Sequence, residues 1–394
     1  MIYEYLQGGA SRWKPYLDIL PSSFDTPMFW SPAELSELQA SALVGKIGKA
    51  EADRMIQTKI LPVIRAHEDV FFAPGSSQRL EDAQLLELAH RFGSTIMAYA
   101  FDLEKDDDEK EGAEGDGGDG DDEWVEDKEG KTMLGMVPMA DLLNADAEFN
   151  AHINHAEEAL TATALRKIKA GEEILNYYGP LPNGELLRRY GYVTPKHSRY
   201  DVVELPWQLV ENELKERVGS TMSPADWDEA RQLAQADEEE FEEGFVLERS
   251  SEDPDAAGQL HSDAVFSGLP EELGEQFKAF LKAIKKVNGN AELAVRAQSD
   301  RDARKELYLQ TVLAALRARE RQYPTSMEQD EQIINAAGVP GRQMMAVWVR
   351  RGEKQLMREA QSWISRELNE LRNKTSSQRA QDRDGAPAAK RRRV

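Results

Sequence analysis

Met136-Val-Pro-Met-Ala-Asp-Leu-Leu-Asn144, Gly171-Glu-Glu-Ile-Leu-Asn-Tyr-Tyr-Gly179 and Asn183-Gly-Glu-Leu-Leu-Arg-Arg-Tyr-Gly-Tyr192 lie close together in a chain of 394 residues. The first sets one Asp and one Asn in an apolar-looking run. The other two place tyrosines beside glycines. A polar group in an apolar segment costs about 1–3 kcal/mol unless it finds a partner. Hydroxyl-bearing aromatics near glycines suit a narrow channel or a stacking pocket. The same residues would serve equally as helix-capping Asp and Asn with interface tyrosines, so composition leaves both readings open.

The surroundings place these stretches on elements. Met133 to Met139 is a short apolar run that predicts a buried strand, and Ala159 to Ile168 alternates like a second one. Lys169-Ala-Gly-Glu172 reads as a turn, and Ile174 to Tyr178 is β-prone again. Asn183 to Tyr190 reads as a short helix stopped by Gly191. Upstream, Leu85, Ala89, Phe92, Ile96 and Tyr99 form a helical stripe, while Pro15, Pro21, Pro27 and Pro32 cut the early region into short pieces. From about Ser223 the pattern is helical. One apolar face is Phe277, Phe280, Leu281, Ile284 and Val287; another is Leu356, Ala360, Trp363, Ile364 and Leu371. Both are expected in the core. Residues 375–394 are polar and predict a disordered tail.

The formal net charge is -23, and it is not spread evenly. Glu104 to Glu129 holds fifteen Asp/Glu against three lysines, and Asp226 to Asp255 holds thirteen against two arginines. The remainder is balanced, with 44 acidic and 44 basic residues. The first segment mixes its carboxylates with glycines and cannot bury enough apolar surface to order itself. It lacks the ligand order of a calcium loop. The second is expected to be a surface insertion rather than a solvated helix.

Several chemistries are excluded. The chain has no cysteine, so disulfides, cysteine-ligated zinc, iron–sulfur clusters and a thiol nucleophile are out. No run of 18 apolar residues marks a transmembrane span, and Met1 to Gly9 lacks the pattern of a secretory signal. A pI of about 4.8 argues against direct nucleic-acid binding by the whole chain. His152 and His155 have no HExxH around them, and no metal site is expected. Nucleophile-elbow, P-loop and dinucleotide signatures are missing.

The ordered motifs resemble the SET domain, specifically the Rubisco-methyltransferase-like class of protein-lysine methyltransferases: Pro-x-Ala-Asp-Leu-Leu-Asn, Gly-Glu-Glu-Ile-x-Asn-x-Tyr-Gly and Asn-x-Glu-Leu-Leu-x-x-Tyr-Gly-Tyr. Ser11-Arg-Trp-Lys-Pro-Tyr-Leu, Thr26-Pro-Met-Phe-Trp30 and Gly93-Ser-Thr-Ile-Met-Ala-Tyr-Ala-Phe101 add to the likeness. Within the class the chain is similar to the fungal ribosomal lysine methyltransferase 4 type. The resemblance is motif by motif from Met1 to about Tyr200, and architectural from there to about Lys374.

The resemblance implies an α+β fold: a SET-domain β-fold with a long helical insert, followed by a mostly α substrate-binding domain. Residues 1–101 would be the helical insert and 102–131 an acidic disordered loop. Residues 132–200 would be the carboxy-terminal part of the SET core. Residues 201–374 would be the helical substrate-binding domain with an acidic insert at 226–255, and 375–394 the tail. The family's strand-rich opening with its Gly-x-Gly cofactor turn has no counterpart before Ser11, so the sequence is expected to start inside the insert, with the amino-terminal part of the SET domain missing.

The implied activity is methyl transfer from S-adenosylmethionine to a neutral lysine ε-amine. By position, Tyr178 corresponds to the catalytic tyrosine, which also faces the substrate. Asp141, Asn144, Ala145, Tyr190 and Tyr192 fall at cofactor positions, and Tyr99 faces the target lysine. Ala145 stands where the family usually has His, whose backbone contacts adenine. A basic ribosomal protein is the implied substrate. The alternatives are a catalytically impaired SET-like binding module and a protein-histidine methyltransferase. Finally, Lys390, Arg391, Arg392 and Arg393 form a compact basic end that reads as an importin-recognised nuclear-import signal, so the nucleus is the expected location.

Overall fold

The computed structural model describes residues 1–73, 79–104, 132–156, 159–218, 222–237 and 241–384. The prolines of the first seventy residues act as foreseen, breaking the chain into short helices. Pro32 opens the helix Pro32–Ser36, whose Ser31 forms a capping box with Glu34. The first long helix, Asp82–Tyr99, buries Leu85, Leu88, Ala89 and Phe92. Leu85 and Ala89 pack on Ile56, Leu61, Ile64 and Phe72. Its apolar stripe stops there, because Ile96 is exposed and Tyr99 only half-buried.

That helix runs straight into strand β1 (Ala100–Glu104), which pairs antiparallel with β2 (Thr132–Met136). The helical region therefore gives way to strand at Ala100. The connecting residues 105–131, which hold nearly all of the first acidic segment, lie outside the described residues. The expected buried strand at Met133–Met139 is corrected in two ways. It ends at Met136, and Met133 and Leu134 are exposed. Adjacent strand residues point to opposite faces, so both faces of the ribbon are open at this end.

β3 (Asn144–Ala145) pairs in parallel with β6 (Leu175–Asn176), and β4 (Ala151–Ala156) pairs antiparallel with β5 (Ala159–Ala164). The second expected strand thus closes at Ala164, short of Ile168. Asn150, almost fully buried, clamps β6: its Oδ1 accepts from the Leu175 N–H at 2.9 Å and its Nδ2 donates to the Glu173 carbonyl at 2.8 Å. The turn at Lys169–Glu172 forms, with Gly171 at φ +83°.

The helix Asn183–Tyr190 ends at Gly191, as expected, with φ +78°. A Cβ there would sit 3.0 Å from the Thr26 backbone nitrogen, so glycine is required on both conformational and steric grounds. This contact seats the Thr26–Trp30 stretch on the helix. Trp30 and Leu187 share a small core with Leu38, Leu43, Ala346 and Val349.

β7 (Val203–Pro206) and β8 (Gly244–Leu247) form an antiparallel pair at the entrance of the helical half. Its core gathers Trp207, Leu214, Phe277, Phe280, Leu316 and Ile364 with many aliphatic neighbours. The expectation for 226–255 is corrected here. Trp227, Ala230 and Ala234, on the helix Pro224–Asp237, belong to this core, as do Phe245 and Leu247 of β8. The segment is part of the domain, and all of its described carboxylates are exposed or half-buried. The stripes of the later helices are core, as expected.

The last helix, Gly341–Asp384, has 44 residues and a length of about 66 Å. It extends ten residues into the expected disordered tail. It ties the two halves together: Ala346 and Val349 pack on the small core, and Leu356, Ala360 and Ile364 on the large one. At this joint Asp201 and Glu353 are buried carboxyls. Asp201 Oδ1 accepts the Asn183 N–H at 3.0 Å, capping that helix from a distance, and glycine at 352 leaves room for its Oδ2. Glu353 accepts from Ser41 Oγ and Tyr323 Oη, each at 2.7 Å.

Burial pushes both carboxyls up to about 7, against the stabilising pull of Asn183 and Arg249 on Asp201 and of Ser41, Tyr323 and Arg319 on Glu353. Folding then favours their protonated forms. Their contribution is fully present below the ordinary values of 3.8 and 4.5 and is lost as pH rises through about 7. Glu353→Gln is expected to flatten this fall, seen as a smaller loss of urea midpoint between about pH 5 and about pH 8 than in the unaltered protein.

Candidate active site

The parallel pair β3–β6 sets Asn144 opposite Leu175 and Ala145 opposite Asn176. It thereby joins the first two motifs and delivers Tyr177 and Tyr178 beside the Asp141–Ala145 segment. The Asn183–Tyr190 helix, reversed by Gly191, brings Tyr190 and Tyr192 to the same place. Tyr178 and Tyr190 stack with centroids 4.8 Å apart and planes at 28°, and Tyr192 lies 6.3 Å beyond Tyr190. The Tyr178 hydroxyl donates to the Leu143 carbonyl at 2.7 Å, and the Tyr192 hydroxyl to the Ala145 carbonyl at 3.3 Å.

Burial raises the Tyr178 phenol well above its ordinary value of 10, and Tyr190, Tyr99 and Asp141 add to the effect. Tyr192 is raised by burial too, with help from Tyr178, Tyr190 and Asp146. Both hydroxyls stay neutral at physiological pH. They can donate or accept hydrogen bonds, but they are not charged bases.

Asp141 is buried in the one-turn helix Ala140–Leu142. Its Oδ2 accepts from the Tyr16 hydroxyl, and its Oδ1 has no hydrogen-bond partner. Tyr16 is raised strongly by burial and by Asp141, and Tyr99 is raised by burial and then by the same carboxylate. Asp141 therefore belongs with Tyr16, Tyr99 and Tyr178. Asn144 does not enter this group. It is exposed, and its Nδ2 donates to Glu173 Oε1 at 2.7 Å.

Six of the seven anticipated residues are thus brought into one aromatic cluster or its edge, and Asn144 stands on the outer face of the same strand pair. Tyr178 is the common member: it stacks on Tyr190, bonds to the Leu143 carbonyl and interacts electrostatically with Asp141 and Tyr99. Two contributors escaped the sequence reading. Tyr16 sits in the Ser11–Leu17 motif, so a signal existed without a role. Asn150 carried none, being one polar residue before a strand. A buried carboxylate bonded to one phenol, interacting electrostatically with two more and with one oxygen unbonded among the described residues, suits a cationic group. Among the described residues no cluster of His, Asp or Glu is placed to hold a metal ion. No described helix is long and apolar enough to cross a membrane.

Residues 220–357 match the family model described as Rubisco LSMT substrate-binding. The chain is 34% identical over 209 residues to ribosomal lysine N-methyltransferase 4 of Saccharomyces cerevisiae, covering 52% of this chain and 40% of that protein. It is 34% identical over 203 residues to human N-lysine methyltransferase SETD6, covering 50% of this chain and 37% of that one. The chain spans about two fifths of the length of these relatives. Its fold matches the SET domain of LSMT bound to lysine and AdoHcy with a TM-score of 0.58 at 21% identity, over 94% of this chain and 74% of that one. Rubisco LSMT bound to AdoMet matches at 0.55 and 22%, with the same coverage. The chain has the α+β fold of the Rubisco LSMT SET-domain structures, and residues 220–357 of its helical half match the Rubisco LSMT substrate-binding model.

Proposed function

We propose that this protein is an S-adenosylmethionine-dependent protein-lysine N-methyltransferase. The observation that carries the reading is the cluster around Tyr178, which stacks on Tyr190, bonds to the Leu143 carbonyl and interacts electrostatically with Asp141 and Tyr99. The residues fit a sulfonium cofactor: Tyr178, Tyr190 and Tyr192 supply aromatic faces and the Leu143 and Ala145 carbonyls supply oxygens, as a stacking base and a cation require. When bound, the cofactor supplies an electrophilic methyl group.

On this reading Tyr192, Tyr190 and the Ala145 backbone hold the cofactor, with Asn144 at the strand edge. Tyr99 and Asp141 receive the lysine, and Tyr16 fixes the Asp141 carboxylate. Asp141 thus moves from the cofactor side, where the motif alone had set it, to the lysine side. The Tyr178 hydroxyl orients the amine, and the tyrosine ring excludes water. Such positioning supplies about 7–11 kcal/mol in well-oriented reactions. The name of the yeast relative supports a ribosomal protein as substrate.

The test is transfer of radiolabelled methyl groups from S-adenosylmethionine to isolated ribosomal proteins by the full chain, with calorimetry of cofactor binding alongside. Label in lysine supports the reading. Absence of both cofactor binding and label transfer overturns it.

The proposal extends to location. The basic run Lys390–Arg393 lies outside the described residues, and its sequence supports nuclear import through importin. Deleting residues 390–394 is expected to shift a fluorescent fusion to the cytoplasm; undiminished nuclear signal would refute this.

A further inference from the structure

Two adjoining cavities lie in the helical half, about 340 Å³ and about 400 Å³ in volume, and both are lined by Arg217 and Gln310. The first adds Arg317, Arg372 and Asn369 over an apolar floor that includes Leu313 and Leu368, and no carboxylate lines it. The second adds Arg296, and its one carboxylate is Glu306. Glu306 stands 3.9 Å from Arg372 and also accepts from Gln310 Nε2 at 3.1 Å. Four arginines against one glutamate make this trough basic within a chain of net charge -23.

Arg231, Arg249 and Arg358 are each held by glutamates. In contrast, Arg217 donates to the Gln310 carbonyl at 2.9 Å and to its Oε1 at 3.3 Å, and its buried Nε has no partner. Arg317 is exposed and has no side-chain partner among the described residues. Guanidinium groups so arranged present planar forks that match carboxylates two bonds at a time. The Leu313–Leu368 floor accepts apolar side chains between them.

We propose that this trough binds an acidic, amphipathic peptide segment. Nucleic acid fits less well: no aromatic side chain lines either cavity to stack a base, and the chain's net charge repels a long polyanion. Taken with the reading of the protein as a methyltransferase, the segment belongs to the substrate and holds it at a distance from the modified residue. That biological role rests on the enzymatic reading, whereas the binding does not.

The experiment is fluorescence anisotropy with the full chain and a short labelled peptide of alternating Glu and Leu. The same peptide with Lys for Glu and an oligouridylate serve as competitors. The acidic peptide is expected to bind and to weaken as salt rises. Arg317→Glu with Arg372→Glu, both solvent-facing, is expected to weaken it at least about tenfold with unchanged urea midpoint. Equal binding of the lysine peptide, tighter binding of the oligouridylate, or unchanged affinity in the double variant would overturn the proposal. Because the readout is binding, peptide capture with neither cofactor binding nor label transfer rejects the enzymatic reading and leaves the trough standing.

Discussion

Tyr178→Phe is expected to lower kcat for methyl transfer by about 10²–10³-fold, with cofactor affinity and fold preserved. The substitution removes one oxygen and keeps the ring, so the stack on Tyr190 at 4.8 Å survives. What is lost is a hydroxyl held in place by the Leu143 carbonyl at 2.7 Å. A fixed dipole at the reacting centre acts most strongly where water is excluded. Because burial holds the phenol neutral, its ionisation does not shape the pH–rate profile near neutrality. The check is steady-state kinetics together with cofactor calorimetry. A rise in KM with unchanged kcat would mean that Tyr178 only binds substrate, and full activity would remove it from the centre.

The largest expected loss of stability comes from Asp330→Asn, at about 3–5 kcal/mol. Asp330 is wholly buried between two buried cations: Oδ1 accepts from Arg350 Nε at 2.9 Å and Oδ2 from Lys354 Nζ at 2.5 Å. Arg350 also reaches the Glu37 carboxylate at 3.0 Å. This ties the amino-terminal helices to the long last helix, at the joint that seats the Asn183–Tyr190 helix. Neutralising Asp330 leaves the buried Lys354 without its carboxylate and Arg350 with Glu37 alone, and an uncompensated buried charge costs more than the pair gained by meeting. Urea unfolding measures the effect. Glu328→Gln, which touches Arg358 on the surface, is the comparison, and its midpoint is expected to move little. Equal effects in the two variants would show that the buried network is not a structural joint.

The Asn183–Tyr190 helix, its Gly191 stop and the cores of the later helices were readable in the chain. Each depends on a local pattern: apolar spacing near 3.6 residues, or a glycine where φ must be positive. The motif order also named the tyrosines that meet at the site. Exposure was less legible, since Ile96 continues a stripe and Met133 opens an apolar run, yet both face outward. Periodicity shows which side of an element is apolar, while the presence of a neighbour on that side is a tertiary fact. Pro224–Asp237 shows the reverse error, its charge density hiding Trp227, Ala230 and Ala234 at core spacing.

The sequence by itself determined the tyrosine-bearing motifs and the division of charge into two acidic segments on a balanced scaffold, because these depend on neighbours in the chain, whereas the fold class came through the resemblance that the motif order carries. Only the tertiary structure decided that Tyr16 holds Asp141 across 125 positions, that Asp201 caps the Asn183 helix, and that Asp330 joins Arg350 and Lys354. It likewise set Asn144 on the outer face and gathered four arginines from separate helices into one trough. Polar groups choose partners by distance and desolvation in the folded chain, and no local spacing records that choice.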